Sequence, residues 1–207
     1  INTQPDNKEA KMLFVSLVQT KEPQLAVSML DAYIKQQPND ADLRFSKVRL
    51  LSTTKVDASV IVDELQKISQ LENASESANK ANIMLANFDL QQGDKAAADK
   101  KIKSVLKEEP ENEGALLLQA RIDIANKNID TAVTNLRIVL RNNPESDKAL
   151  VLLAQAYMRS GSSELADDNF RQALEVNPGN TVAALTVAND LMKTKDLNRT
   201  ETVLQNA

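Results

Sequence analysis

The 207 residues contain neither His nor Cys, so the chemistry open to this chain is that of carboxylates, amines, guanidinium groups and hydroxyls. Thiol nucleophiles, disulfides, imidazole bases, Ser-His-Asp triads and zinc sites of the usual ligand types are excluded. A pair of carboxylates is then the general acid–base arrangement to look for. Asp167 and Asp168 adjoin, but neighbouring helical residues diverge around the helix axis and do not face one substrate. The sequence holds no Gly-rich phosphate loop and no calcium loop of alternating carboxylates. No catalytic residue, metal site or cofactor is expected.

Binding remains. A net charge of −4 and a pI near 5.1 give no basic footprint for nucleic acid or an anionic membrane. Lys95, Lys100, Lys101 and Lys103 cluster, yet Asp94, Asp99, Glu108 and Glu109 interrupt them, which reads as a solvated helix face. The triplets starting at Asn73 and Asn198 match the N-glycosylation pattern, which is frequent by chance. Purely apolar runs are short, such as Ala149 to Ala154, so no membrane insertion by this segment is expected. The chain starts at Ile1 without a secretory signal, as an excised or processed segment would. The lack of Cys suits cytosol and periplasm alike.

The elements that must present any binding surface are helices. Aromatics make up only 3% of the chain, Trp is absent, and there are four Gly and six Pro. Small and aliphatic side chains therefore fill the interior, which suits closely packed helices better than a β-sandwich. Pro110, Pro144 and Pro178 are spaced by 34 and 34. Twelve, eight and five residues before them stand Ala98, Ile102 and Val105, then Ala132, Leu136 and Val139, then Ala166, Phe170 and Ala173. Apolar residues every three or four positions place one stripe on each helix. Pro stops the preceding helix, the Asn or Asp after it caps the next, and Gly93 and Gly161 permit a left-handed helix end. Small residues such as Ala154 and Ala166 let paired helices approach, while Tyr157 and Phe170 fill the space between pairs.

Leu153, Ala154, Tyr157 and Gly161 in LVLLAQAYMRSG, with Ala86, Gly93 and Ala120 in the units before, resemble the core and turn positions of the tetratricopeptide repeat. The resemblance implies an all-α, right-handed superhelical solenoid of antiparallel helix hairpins, with about twelve helices. Units are expected near 7–40, 41–78, 79–112, 113–146, 147–180 and 181–207, the last incomplete, after a lead-in over 1–6. Together they form one array, a fragment of a longer one. Leu13, Leu17, Ala26, Leu30 and Pro38 anchor the first unit. Pro38 to Pro110 is 72 residues, so about one extra helical turn is inserted, and ENASESANKA either extends a helix or forms a longer polar loop. Ordering about 34 residues costs on the order of 50 kcal/mol and needs roughly 2,000 Å² of buried apolar surface to offset it, so each hairpin must lean on its neighbours.

In the family, first helices line a concave groove that receives a peptide or a partner helix. Carried onto this chain, that face includes Phe45, Ile83, Leu117, Val151 and Leu185, and one turn later Arg49, Asn87, Arg121, Gln155 and Asn189. The aliphatic residues either meet a ligand or pack successive first helices together. An amphipathic helix or extended segment with acidic or amide side chains fits such a face. The Lys/Asn/Arg clamp of the chaperone-binding subgroup is not expected, because Val15 stands where the Asn following Lys11 would be and Phe45 and Ser46 do not complete it.

The resemblance thus implies a non-catalytic protein-interaction scaffold with a protein or peptide partner. An architectural spacer or dimerisation array, and the substrate-docking arm of an enzyme encoded elsewhere in the chain, are the alternatives. Val203 and Leu204 of the unfinished unit open a route to homo-association. The units also resemble the arrays of bacterial envelope lipoproteins of exopolysaccharide and exosortase systems, which implies a periplasmic scaffold.

Overall fold

The computed structural model describes residues 8–193 and 197–205; the lead-in over 1–6 and the side chains of Asn198 and Arg199 lie outside what it describes. Among the described residues there are twelve helices and no strand. They are α1 (Lys8–Gln19), α2 (Pro23–Gln36), α3 (Ala41–Ser52), α4 (Ala58–Ser69), α5 (Ser75–Gln91) and α6 (Lys95–Glu108), then α7 (Glu113–Ala125), α8 (Ile129–Asn142), α9 (Asp147–Ser160), α10 (Ser163–Val176), α11 (Thr181–Lys193) and α12 (Leu197–Gln205). None is long and apolar enough to cross a membrane. The chain divides into two compact units, residues 1–88 and 89–207.

The proline periodicity has a direct geometric cause. The residues before the four prolines are Gln37, Glu109, Asn143 and Asn177, and all are extended, with φ between −137 and −127° and ψ between 72 and 90°. Steric pressure from the proline ring keeps the preceding residue out of the helical region, so the helix ends there. Each of their carbonyls then accepts from the backbone N–H three residues on, at Asp40, Asn112, Ser146 and Asn180, at 3.0–3.1 Å. This is a β-turn with proline at its second position, where its fixed φ costs nothing. The fourth residue of the turn caps the next helix: Asp40, Asn112, Ser146 and Asn180 accept from the N–H of Leu43, Ala115, Ala149 and Ala183 at 3.0, 3.0, 3.4 and 3.1 Å.

The far ends of α5, α7 and α9 repeat as well. Asp94, Asn128 and Ser162 donate their backbone N–H to Asp89, Asp123 and Tyr157 carbonyls at 2.8, 2.8 and 2.9 Å, the long return bond of a left-handed helix terminus. Gly93 and Gly161 hold that terminus at φ 82 and 84°, and Lys127 holds it between them at φ 65°. A side chain at such a φ costs roughly 1–2 kcal/mol that glycine avoids. Lys127→Gly is therefore expected to stabilise the second unit by about 1 kcal/mol, read as a higher urea midpoint; an unchanged or lower midpoint would show that the Lys127 backbone is not strained.

The core follows the same register. Ala86, Ala120 and Ala154 on first helices and Ala98, Ala132 and Ala166 on second helices are fully buried, as are Ile102, Leu136 and Phe170. In the second unit, Leu116, Ala120, Leu136, Val139, Leu152 and Leu153 form one cluster across α7, α8 and α9. Leu150, Ala154, Ala166, Phe170 and Ala183 form the next, across α9, α10 and α11. Tyr157 packs against both and its hydroxyl accepts from Arg137 at 3.1 Å.

One sequence expectation is narrowed and another is corrected. The extra turn of the irregular unit lies at the start of α5, which has 17 residues where the other first helices have 12 to 14. It follows a turn in which Asn73 takes φ 55°, a conformation Asn tolerates. In the first unit Leu13 and Leu17 are not anchors, since they are 63 and 64% exposed. Val15, Ala26, Leu30 and Leu43 make that core instead. The helix positions of Leu13 and Leu17 correspond to Leu152 and Ala156 of α9, which bury against the preceding hairpin; α1 has no such neighbour among the described residues.

Candidate functional site

Two clefts open between successive first helices, one in each unit. In the second unit, Arg121, Ile124 and Ala125 of α7 and Leu152, Gln155, Met158 and Arg159 of α9 line a cleft of about 410 Å³. Leu152 and Ile124 form its buried apolar floor, because both also belong to the core cluster of that hairpin pair. In the first unit, Met12, Val15, Ser16, Gln19 and Thr20 of α1 and Ser46, Arg49, Leu50 and Thr53 at α3 line one of about 370 Å³. Its walls carry hydroxyl and amide groups around a single guanidinium.

The ten residues expected on the inner face divide between these clefts and the core. Arg49 lines the first cleft; Arg121 and Gln155 line the second. Phe45 packs against Val48, Leu65, Ile68, Ala81 and Leu85, with the Lys80 ammonium 4.8 Å from its ring centroid. Leu117 packs on the α7–α9 cluster and Val151 lies inside the next one. Ile83 and Asn87 are half-buried in α5, and Leu185 and Asn189 are exposed on α11; these four line neither cleft. What the sequence reading missed is the last turn of the first helices, Ile124, Ala125, Met158 and Arg159, three or four residues beyond Arg121 and Gln155. The i, i+3, i+4 rule applied once more would have found it.

The electrostatics differ between the units. In the first, Glu64 on α4 is buried, with its side chain only 3% exposed, and accepts from Arg44 and from Lys47 at 3.2 Å, with Lys67 at 3.5 Å. Lys47 also reaches Asp31 on α2 at 2.6 Å. Burial pushes the Glu64 carboxyl up, but the Arg44 hydrogen bond and the lysine charges outweigh it and hold the group below its ordinary value. Burial likewise opposes the charge on Lys47, while Asp31 and Glu64 hold its pKa above the ordinary one. This cluster ties α2, α3 and α4 together.

A polar ladder joins the starts of successive first helices. Lys8 binds Asp40 at 2.8 Å, Ser146 donates to Glu113 at 2.7 Å, and Asn180 donates to Asp147 at 2.8 Å. In each case the first residue of one helix meets the cap of the next. Burial raises the pKa of Asp147, but Asn177 and Asn180 donate to it and hold it below the ordinary range. Lys101 pairs with Asp89 at 2.6 Å and Lys103 with Asp99 at 2.7 Å, so these two lysines of the basic cluster are neutralised locally. Among the described residues no group of three or more carboxylates could hold a metal ion.

Paired helices, proline turns at Pro38, Pro110, Pro144 and Pro178, the last three 34 residues apart, and clefts between first helices make a fold of the tetratricopeptide type. Residues 117–181, about a third of the chain, match the family described as tetratricopeptide repeat. A search of the curated proteins finds no match. Among solved structures, the MamA protein aligns at 17% identity and a TM-score of 0.58 over 82% of this chain and 91% of its own. YrrB aligns at 13% identity and a TM-score of 0.54 over 88% and 93%. An O-GlcNAc transferase mutant of Thermobaculum terrenum aligns at 25% identity and a TM-score of 0.54 over 56% of this chain, which spans 22% of the transferase.

Proposed function

We propose that the chain is a non-catalytic scaffold that binds a peptide or helix of a protein partner along the inner face of its first helices, residues 7–207 acting as one array. The observation that carries this reading is the pair of open clefts, each with an apolar floor and an arginine at its wall, Arg49 in one and Arg121 in the other. Concave, mostly preformed clefts with a few convergent polar groups are where ligands bind. YrrB, a tetratricopeptide protein with an unusual peptide-binding site, shares the fold and lends support. The groove residues in this reading are Arg49, Asn87, Arg121, Gln155 and Asn189, with Phe45, Ile83, Leu117, Val151 and Leu185 beneath them. A bacterial envelope setting, with a role in exopolysaccharide export, is the narrower form of the same reading and rests on the resemblance of the repeat units alone.

A photo-reactive side chain introduced at Gln155 is expected to crosslink a partner in a native lysate, whereas the same group at the exposed Gln172 of α10 is not. A second reading, the substrate-docking arm of an enzyme, draws on the likeness to part of the O-GlcNAc transferase chain. In that case the crosslinked protein is a substrate of the same polypeptide's enzymatic domain.

A further inference from the structure

Two apolar faces lie open, one on α1 and one on the α11–α12 hairpin. Leu13, Phe14 and Leu17 of α1 are exposed, and so are Leu185 and Met192 of α11 and Leu204 of α12. Clustered exposed apolar side chains mark interaction surfaces. The repeat register identifies what each face is built to meet. Leu13, Phe14 and Leu17 hold the helix positions of Leu152, Leu153 and Ala156 of α9, with buried Val15 in the place of buried Ala154. Leu185, Met192 and Leu204 stand two 34-residue steps after Leu117, Ile124 and Leu136 of α7 and α8. All six counterparts pack in one core cluster, where α7 and α8 receive α9. The open faces are therefore the two halves of a contact that the fold already makes once.

We infer that copies of this chain associate head to tail, the α11–α12 face of one copy receiving α1 of the next as α7 and α8 receive α9. A second copy is the occupant because the chain itself carries both halves in matching register, and both stay exposed. Each hairpin of such an array gains stability by leaning on a neighbour, and a copy supplies that neighbour. The contact is heterologous: each copy added leaves a free face, so association goes on until a ring closes or a chain extends. None of the six side chains lines either cleft, so this contact and a ligand in the groove are independent.

Sedimentation velocity and light scattering of the full chain test this. Wild type is expected to show a mass that rises with concentration above the 22.8 kDa of one copy, at high salt as at low, since the contact is apolar. Leu13→Asp with Leu17→Asp blocks the head, and Met192→Asp with Leu204→Asp blocks the tail. Each blocked variant alone should stay at the mass of one copy, with helical circular dichroism intact. Mixed in equal amounts they should form a dimer and nothing larger, because one retains its tail and the other its head. The chain has no Cys, so a bismaleimide added to a mixture of Leu13→Cys and Leu204→Cys chains should link unlike chains, while neither preparation alone is linked. That pair decides the matter if an Asp variant loses helicity. Wild type that stays at one-copy mass at every concentration overturns the inference, as does a mixture of blocked variants that forms no dimer. Association of the tail-blocked variant alone would mean that α1 pairs with α1, and association of the head-blocked variant alone that the hairpins pair with each other; either result sinks the head-to-tail contact.

Discussion

Phe170→Ala should destabilise the second unit by about 3–5 kcal/mol, the range for a fully buried aromatic truncated to a methyl group. Phe170 is 1% exposed and sits in the cluster that joins α9 and α10 to Ala183 of α11. The same position of the other second helices holds Leu30, Leu65, Ile102 and Leu136, all buried, while Leu204 of α12 is 45% exposed. Phe170→Leu therefore keeps a residue type the position accepts elsewhere and should cost about 1.5 kcal/mol or less. Urea unfolding followed by circular dichroism reads both. A loss below about 1 kcal/mol for Phe170→Ala would mean that the space refills by collapse of α10 onto α9, and that the side chain does not bridge the hairpins.

Glu64→Leu is expected to destabilise the first unit by about 3 kcal/mol or more, because Arg44 and Lys47 are left largely buried without the carboxylate between them. Asp31 still faces Lys47, so Arg44 carries most of the loss. Arg44→Met in the Glu64→Leu background should recover part of it, since an apolar pair of similar volume replaces two buried charges. The pH dependence has a fixed sign. The Glu64 pKa is lowered on folding, so the unfolded state binds the proton more tightly. Its contribution is fully present above the unfolded value of about 4.5 and is lost as pH falls through the lower folded value. Stability of wild type measured by urea unfolding should thus fall on acidification below that value, and more steeply than that of Glu64→Gln. Parallel profiles would show that Glu64 is not the group responsible.

Most of the fold was legible because its signals are local and repeat. A proline turn involves four consecutive residues, and its register returned at Pro38, Pro110, Pro144 and Pro178. The buried alanines and the glycine at the end of α9 are likewise fixed by backbone geometry within one turn. Lys127 was hidden in plain view: the 34-residue register places it between Gly93 and Gly161, yet its own residue type gives no hint of a positive φ. The Arg44–Lys47–Glu64 cluster was not legible, because its members are 17 and 20 residues apart and belong to the one unit where the register slips. The ladder from Glu113 to Ser146 and from Asp147 to Asn180 joins residues 33 apart; the repeat length implies that these helix starts lie near one another, but not which side chains reach across.

The sequence reading placed the groove on the middle turns of the first helices. Arg49, Arg121 and Gln155 line clefts, while Phe45, Leu117 and Val151 lie one turn earlier and pack into the core. The difference is depth: the level of Phe45, Leu117 and Val151 lies against the core clusters, and the second cleft reaches on to Ile124, Met158 and Arg159 in the last turns of α7 and α9.

Site-resolved crosslinking tests the central claim, that the inner face of the first helices does the recognising, most directly. A photo-reactive group at Gln155 is predicted to yield a discrete protein adduct, with no adduct from Gln172. An adduct from Gln172 that equals or exceeds the one from Gln155 would contradict it.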